Sequence, residues 1–158
     1  MLSTMKLFEQ RRFQRFSTYN APEFIYSILY DKESPPMRGR GESHKEKNVS
    51  GISVDSAIPD KAIKDLLKIK EIETRSSCQG SDEIRPTFLI FRPKNQDSKY
   101  VKKIVDNLNS YDDIKAGYNV GREGSYRIGV TTSLWPEKDK KKFETWWLEL
   151  PNKIQKSL

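Results

Sequence analysis

The sequence predicts an α+β fold: a single mixed sheet with helices packed on it, two helix–strand–strand units plus N- and C-terminal helices. Three observations predict it. Helical apolar spacing over Ile58–Lys70 is followed by two strand candidates, Ile72–Arg75 and Thr87–Phe91. The same order recurs between Asp97 and Thr131. The second of those strands, Thr87–Phe91, is a continuous apolar run bounded by Pro86 and Pro93, the pattern of a strand covered on both faces. At 158 residues the chain is long enough to bury a core as one domain, residues 1–158.

The elements follow in order. Leu2–Phe16 reads as a helix, with Met5, Phe8, Phe13 and Phe16 as its apolar bulk and Arg11, Arg12 and Arg15 on the remaining surface. A second helix is better marked. Asn20 caps it, Pro22 fits its first turn, Glu23 complements the dipole, and Ala21, Phe24, Ile25, Ile28 and Leu29 form one stripe. Residues 31–50 hold Pro35–Pro36, Gly39, Gly41 and many charges with little to bury, which predicts a mobile polar loop. In Ile58–Lys70, Ala62, Ile63, Leu66 and Leu67 share a face, Asp55 or Ser56 can cap, and Pro59 sits near the first turn. Asp97 or Ser98 opens a helix with Val101, Ile104, Val105 and Leu108 at i, i+3, i+4 and i+7. Tyr118–Val120 and Tyr126–Thr131 read as a hairpin closed by Gly121–Gly124, with one wet face by its alternation. Ser133 and Pro136 start a last helix with Phe143, Trp146, Trp147 and Leu150 on its stripe, and Pro151 ends it.

Composition narrows the function classes. Lys and Arg number 29 against 22 Asp and Glu, a formal charge of +7. Only 35% of residues are hydrophobic, and the mean hydropathy is −0.80. No apolar run approaches the ~18 residues of a membrane span, and Met1–Thr18 has no apolar core of a signal peptide. The expectation is a basic cytoplasmic protein with no membrane partner. One cysteine precludes an intrachain disulfide, and one Cys with one His precludes a conventional Cys/His zinc site within the chain, so no metal is expected. The positive excess lies in residues 1–20 and 85–104, around an acidic-leaning middle. Clustered cations favour a polyanion through counterion release, and a solvated surface fits the same charges. Arg11, Arg12, Arg15, Arg92, Lys99, Lys102 and Lys103 are the candidate nucleic-acid contacts.

The stretch carrying chemistry is Glu73–Thr74–Arg75–Ser76–Ser77–Cys78–Gln79–Gly80. Read as a turn between two strands, it can aim successive amides and the Ser76 and Ser77 hydroxyls at an anion or polar ligand. Gly80 permits close approach, and Arg75 and Arg85 add charge. The same composition suits a plain connection whose serines satisfy local backbone groups. Cys78 has no histidine near it in sequence to activate it, and an isolated cysteine is more often a small half-buried thiol than a nucleophile. Trp135, Tyr118 and Tyr126 are further stacking candidates, with core or surface filling as the plainer reading.

Gly51–Ile52–Ser53–Val54–Asp55, the helix through Leu67, and Thr74–Arg75–Ser76–Ser77–Cys78–Gln79–Gly80 resemble the wybutosine-synthesis methyltransferase family over the central third of the chain. Members have a glycine–serine–valine–aspartate start, an amphipathic helix, and a threonine-rich strand leading into Ser-Ser-Cys-Ser-Gly. Gln79 stands where the family has a serine, and Ser81 where it has a basic residue. The resemblance implies methyl transfer from S-adenosylmethionine to a tricyclic guanine derivative in tRNA, with Ser76, Ser77, Cys78 and Gly80 at the ligand site. Arg75, Arg85 and Arg92 are then expected to hold phosphate or carboxylate. Two alternatives stand beside it: a non-catalytic nucleic-acid-binding or regulatory protein that keeps the fold without the cofactor, and a helper protein whose Trp-rich last helix packs on a partner.

Overall fold

The structure is a computed structural model that describes residues 20–37, 44–121 and 123–158. The expected helix Leu2–Phe16, with Arg11, Arg12 and Arg15, lies outside the described residues. The order is α1 (Ala21–Tyr30), β1 (Glu46–Val49), β2 (Ile52–Asp55), α2 (Asp60–Leu67), β3 (Ile72–Cys78) and β4 (Phe88–Pro93). Then come α3 (Ser98–Asn109), β5 (Lys115–Val120), β6 (Tyr126–Thr131) and α4 (Lys140–Ser157).

The class is α+β, and α2–β3–β4 and α3–β5–β6 are the two expected helix–strand–strand units. Together they give a four-stranded sheet in the order β3-β4-β6-β5. Where the sequence suggested one mixed sheet, every pairing is antiparallel, and β1 and β2 form a separate two-stranded sheet. The first strand of that hairpin occupies the end of the expected loop 31–50. The loop's other end is also tied down: Ser34 and Met37 are buried, and the Met37 N–H donates to Glu23 Oε1 at 2.9 Å.

Helix α1 forms as its local signals dictate, with Asn20 Oδ1 accepting from the Glu23 N–H at 3.2 Å. Asp97 caps α3 in the same way through the Tyr100 N–H. Helix α2 is shorter than expected and starts after Pro59 with no side-chain cap, because Asp55 and Ser56 are held elsewhere. Asp55 closes β2, and the Ser56 N–H donates to Lys45 O. Helix α4 runs through Pro151 instead of ending there. Pro151 lacks an N–H to bond back to residue 147, yet it lies on the buried stripe that Phe143, Trp146, Trp147 and Leu150 begin and Ile154 and Ser157 continue. Burial of that stripe outweighs one lost hydrogen bond.

Helices α2, α3 and α4 share one core with Leu89, Phe91, Ile128 and Val130 of the sheet, and α4 lies between the other two. Helix α1 covers the opposite face, where Phe24, Ile25 and Ile28 pack on Phe88 and Ile90. The face of the β5–β6 hairpin expected to be wet is therefore covered by α1 around Gly117 and Gly129, with Lys115 left exposed at its end. Gly117 faces Gly129 across the ladder, and a Cβ on Gly129 would lie 2.9–3.1 Å from Phe24, Ile25 and Ile28. Bare backbone there lets α1 settle on the sheet. Each of its three apolar side chains adds about 1.5–3 kcal/mol of burial.

In the β5–β6 turn, the Gly121 N–H donates to Ser125 O and the Gly124 N–H to Gly121 O. Arg127 grips Glu123 through Nε and Nη2 at 2.8–3.2 Å. Glu123's own backbone N–H, then Arg127 and Ser125, hold its carboxyl down at about 2, against partial desolvation. A depressed carboxyl contributes stability that is present above its ordinary 4.5 and lost as pH falls through about 2. Glu123 is 39% exposed, so solvent screening reduces that contribution to about 0.5 kcal/mol. Glu123→Gln is expected to flatten the acid limb of a stability-versus-pH series in urea by that amount. Identical limbs for the two proteins would show the pair is energetically silent.

Candidate functional site

Residues 73–80 are not a turn. Strand β3 continues to Cys78 and pairs with β4 along its length, Ser76 opposite Ile90, Ser77 opposite Leu89 and Cys78 opposite Phe88. The register slips at Arg75, a bulge between Thr74 and Ser76. It has a geometric consequence. In an unbroken strand Thr74 and Ser76 would share a face; one extra residue puts Ser77 there instead. Thr74 and Ser77 thus oppose Phe91 and Leu89 of the large core, and Cys78 packs with Phe88 and Ile90 beneath α1.

On the Ser77 side lies a cleft of about 280 Å³ between β2, α2 and β3. Val54, Ile63, Leu66 and Leu89 give it an apolar floor, Ser53, Thr74 and Ser77 bring hydroxyls, and Ile52, Arg75 and Ser76 complete it. It exists because β2 packs beside β3 without hydrogen-bonding to it, which leaves β3 an open edge of the main sheet. Of the seven residues singled out as ligand-binding, Arg75, Ser76 and Ser77 line this cleft.

Cys78, Gln79, Gly80 and Arg85 do not line it. The amides expected to face a guest are already engaged: the Gln79 N–H donates to Asp55 Oδ2 at 2.8 Å and the Gly80 N–H to Cys78 Sγ at 3.4 Å. Gln79 Oε1 accepts from the Ala57 N–H, so this residue clasps the end of β2 at two points. The space Gly80 leaves by having no side chain is filled by the backbone of residues 85–87. The Arg85 N–H is held by Asp82 Oδ1, and its carbonyl accepts from Ser81.

Burial pushes the Cys78 thiol up to about 11, the nearby Asp55 carboxylate acts in the same direction, and the Gly80 N–H and Arg85 oppose it. Such a thiol is protonated at neutral pH and a poor nucleophile. The chain's one histidine, assigned by sequence to the polar loop, is nevertheless beside it: donor atoms of His44, Asp55 and Cys78 lie within 4.8 Å of one another.

The cationic candidates are dispersed. Arg75 and Arg92 both lean on Glu73, at 3.2 and 4.0 Å. Lys99, Lys102 and Lys103 are exposed on α3, which packs on β5 and β6, with α4 between it and α2. They are not gathered around the cleft. Trp146 and Trp147 are core residues, as is Tyr118, which meets the half-buried Tyr126 edge-on at 5.8 Å. Trp135 is half-buried with Lys138 Nζ 4.7 Å from its ring centre.

The fold and site define an α+β protein with a small hydroxyl-walled cleft at the open edge of its sheet. Compared with known proteins, the chain matches no family model, no curated protein and no solved structure. Among the described residues no helix is long and apolar enough to cross a membrane.

Proposed function

We propose that the protein binds RNA, tRNA on the strength of its resemblance to the wybutosine-synthesis methyltransferases, and seats one modified guanine in the cleft between β2, α2 and β3. The cleft carries this reading. Its apolar surfaces suit the faces of a planar heterocycle, and its hydroxyls suit ring nitrogens and carbonyls at the edge. Arg75, 40% exposed at the rim, is the group for a flanking phosphate. Lys99, Lys102 and Lys103 add a diffuse attraction for the backbone. Methyl transfer from S-adenosylmethionine is the reaction the resemblance implies. It asks chiefly that donor methyl and acceptor atom be held in line at near-attack distance.

One observation favours the second reading, a nucleic-acid-binding protein without catalysis. Among the described residues Arg75 is the only ionisable one lining the cleft, so none of them faces the guest as a general base. About 280 Å³ also falls at the foot of the ~300–1,000 Å³ typical of small-molecule sites, room for one heterocycle and not for a base and a nucleoside cofactor together.

Calorimetry separates the two. Heat from both S-adenosylmethionine and a tricyclic guanine nucleoside supports the enzyme; heat from the nucleoside alone supports the binding protein. No heat from either at millimolar concentration, with tRNA binding insensitive to salt, would sink both. Ser77→Leu fills the cleft from its β3 wall and is expected to weaken nucleoside binding at least tenfold. Because Ser77 is only half-buried, stability should change by about 0.5 kcal/mol or less. An affinity equal to wild type in this variant would place the nucleoside elsewhere.

A further inference from the structure

We infer that His44, Asp55 and Cys78 form a binding site for one divalent transition-metal ion, zinc or its chemical kin, with a fourth position left to water. The only histidine and the only cysteine of the chain meet a carboxylate here, from three separate segments: the approach to β1, the end of β2 and the end of β3. All three residues are half-buried, so the group is reachable from solvent without being fully hydrated.

The distances suit a metal. Tetrahedral coordination at ~2.3 Å to sulfur and ~2.0–2.1 Å to nitrogen and oxygen puts ligand atoms about 3.3–3.6 Å apart. The three donors already lie within 4.8 Å of one another, so closing on an ion needs side-chain adjustments of about an ångström. Imidazole, thiolate and a single carboxylate select zinc, cobalt or iron over magnesium or calcium, which require oxygen shells.

The surroundings hold the donors in place. Gln79 donates its N–H to Asp55 Oδ2, leaving the other carboxylate oxygen for the ion. The Gly80 N–H points at Cys78 Sγ, a bond that supports a thiolate once the metal has displaced its proton to solvent. The clasp of Gln79 on Ala57 keeps the end of β2 against the end of β3. Cys78 projects from the face of β3 opposite Ser77, so the site is separate from the cleft and independent of what the cleft binds. A bound ion would staple the β1–β2 hairpin to the edge of the main sheet, to which no strand hydrogen bond joins it.

The test is titration of the metal-free full chain with cobalt(II), read by absorbance, followed by zinc competition. A single equivalent is expected to bind with a thiolate-to-cobalt charge-transfer band, and zinc should remove the band stoichiometrically. Cys78→Ser should lose the band, and His44→Ala and Asp55→Asn should each weaken binding at least tenfold. At the same zinc concentration the melting temperature of wild type should rise more than that of His44→Ala. No band at millimolar cobalt, or undiminished affinity in either His44→Ala or Asp55→Asn, would overturn the three-ligand site. His44 lies outside every strand, so His44→Ala keeps the test decisive even if Cys78→Ser fails to fold.

Discussion

Trp147→Ala is expected to lower the free energy of unfolding by about 3–5 kcal/mol, a large part of the ~5–15 kcal/mol that a domain has. Trp147 is fully buried on α4, and removing it opens a cavity at the centre of the large core. It also breaks a relay of hydrogen bonds. The indole N–H donates to Thr87 Oγ1 at 3.0 Å, that hydroxyl donates to the Cys78 carbonyl at 2.7 Å, and the Thr87 carbonyl accepts from Thr131 Oγ1 at 2.7 Å. One buried threonine thus joins α4, the end of β3, the start of β4 and β6. Trp147→Phe separates the two contributions, since it keeps much of the ring and deletes the donor. Its expected cost is about 1–2 kcal/mol. A double-mutant cycle with Thr87→Val, read by urea denaturation, should return a coupling of about 1 kcal/mol. A Trp147→Ala loss below about 1 kcal/mol would mean the core does not close around the indole.

What the sequence showed of this fold was what neighbours along the chain decide. Asn20, Pro22 and Glu23 mark the start of α1 within four residues, and Asp97 marks α3 with one cap. The buried strand at Phe88–Pro93 announces itself by an apolar run between prolines. What it hid depends on partners far along the chain. The alternation of Tyr126, Ile128 and Val130 implied a wet face because Gly129 contributes no side chain to it; the covering residues are in α1, about a hundred positions away. Pro151 reads as a stop by any local rule, and only the buried Ile154 and Ser157 beyond it explain why α4 goes on.

The candidate site divides in the same way. Arg75, Ser76 and Ser77 stood out by composition, and the structure sets them at a cleft. The bulge that selects Ser77 over Ser76 leaves no mark in the sequence, because it is a property of the pairing with β4. The apolar side of the cleft comes from α2, whose Ile63 and Leu66 were legible as a stripe, though not as facing β2 and β3. Ile52, Ser53 and Val54 had one sequence signal, the Gly51–Asp55 stretch of the family resemblance. His44 had none, for nothing local in a charged loop says that it will meet Asp55 and Cys78.

Gly80→Ala is expected to be the most damaging small substitution near the site, at about 3 kcal/mol or more. Two effects add. Gly80 has φ +71°, in the left-handed region, where an L-residue with a Cβ costs about 1–2 kcal/mol. That Cβ would also lie 2.4 Å from Thr87 N, 2.6 Å from Pro86 C and 2.8 Å from Arg85 O. These are backbone atoms, so no rotamer change relieves the overlap. Retreat of that segment strains the Thr87 hydroxyl bond to Cys78 and the Ser81 N–H bond to Arg85 O. Gly51 supplies the control: its φ is +84°, and a Cβ there meets nothing within 4 Å. Gly51→Ala therefore reports backbone strain alone, about 1 kcal/mol, and the excess in Gly80→Ala reports the crossing of β3's exit over the entry to β4. For a chain of this size the larger loss corresponds to a melting-temperature drop of about 6–12 °C, measurable by calorimetry on the two variants side by side. Equal drops would mean that residues 85–87 yield freely to a side chain. The glycine would then be needed for its dihedral angle only, and the end of β3 would be looser than the contacts around Thr87 require.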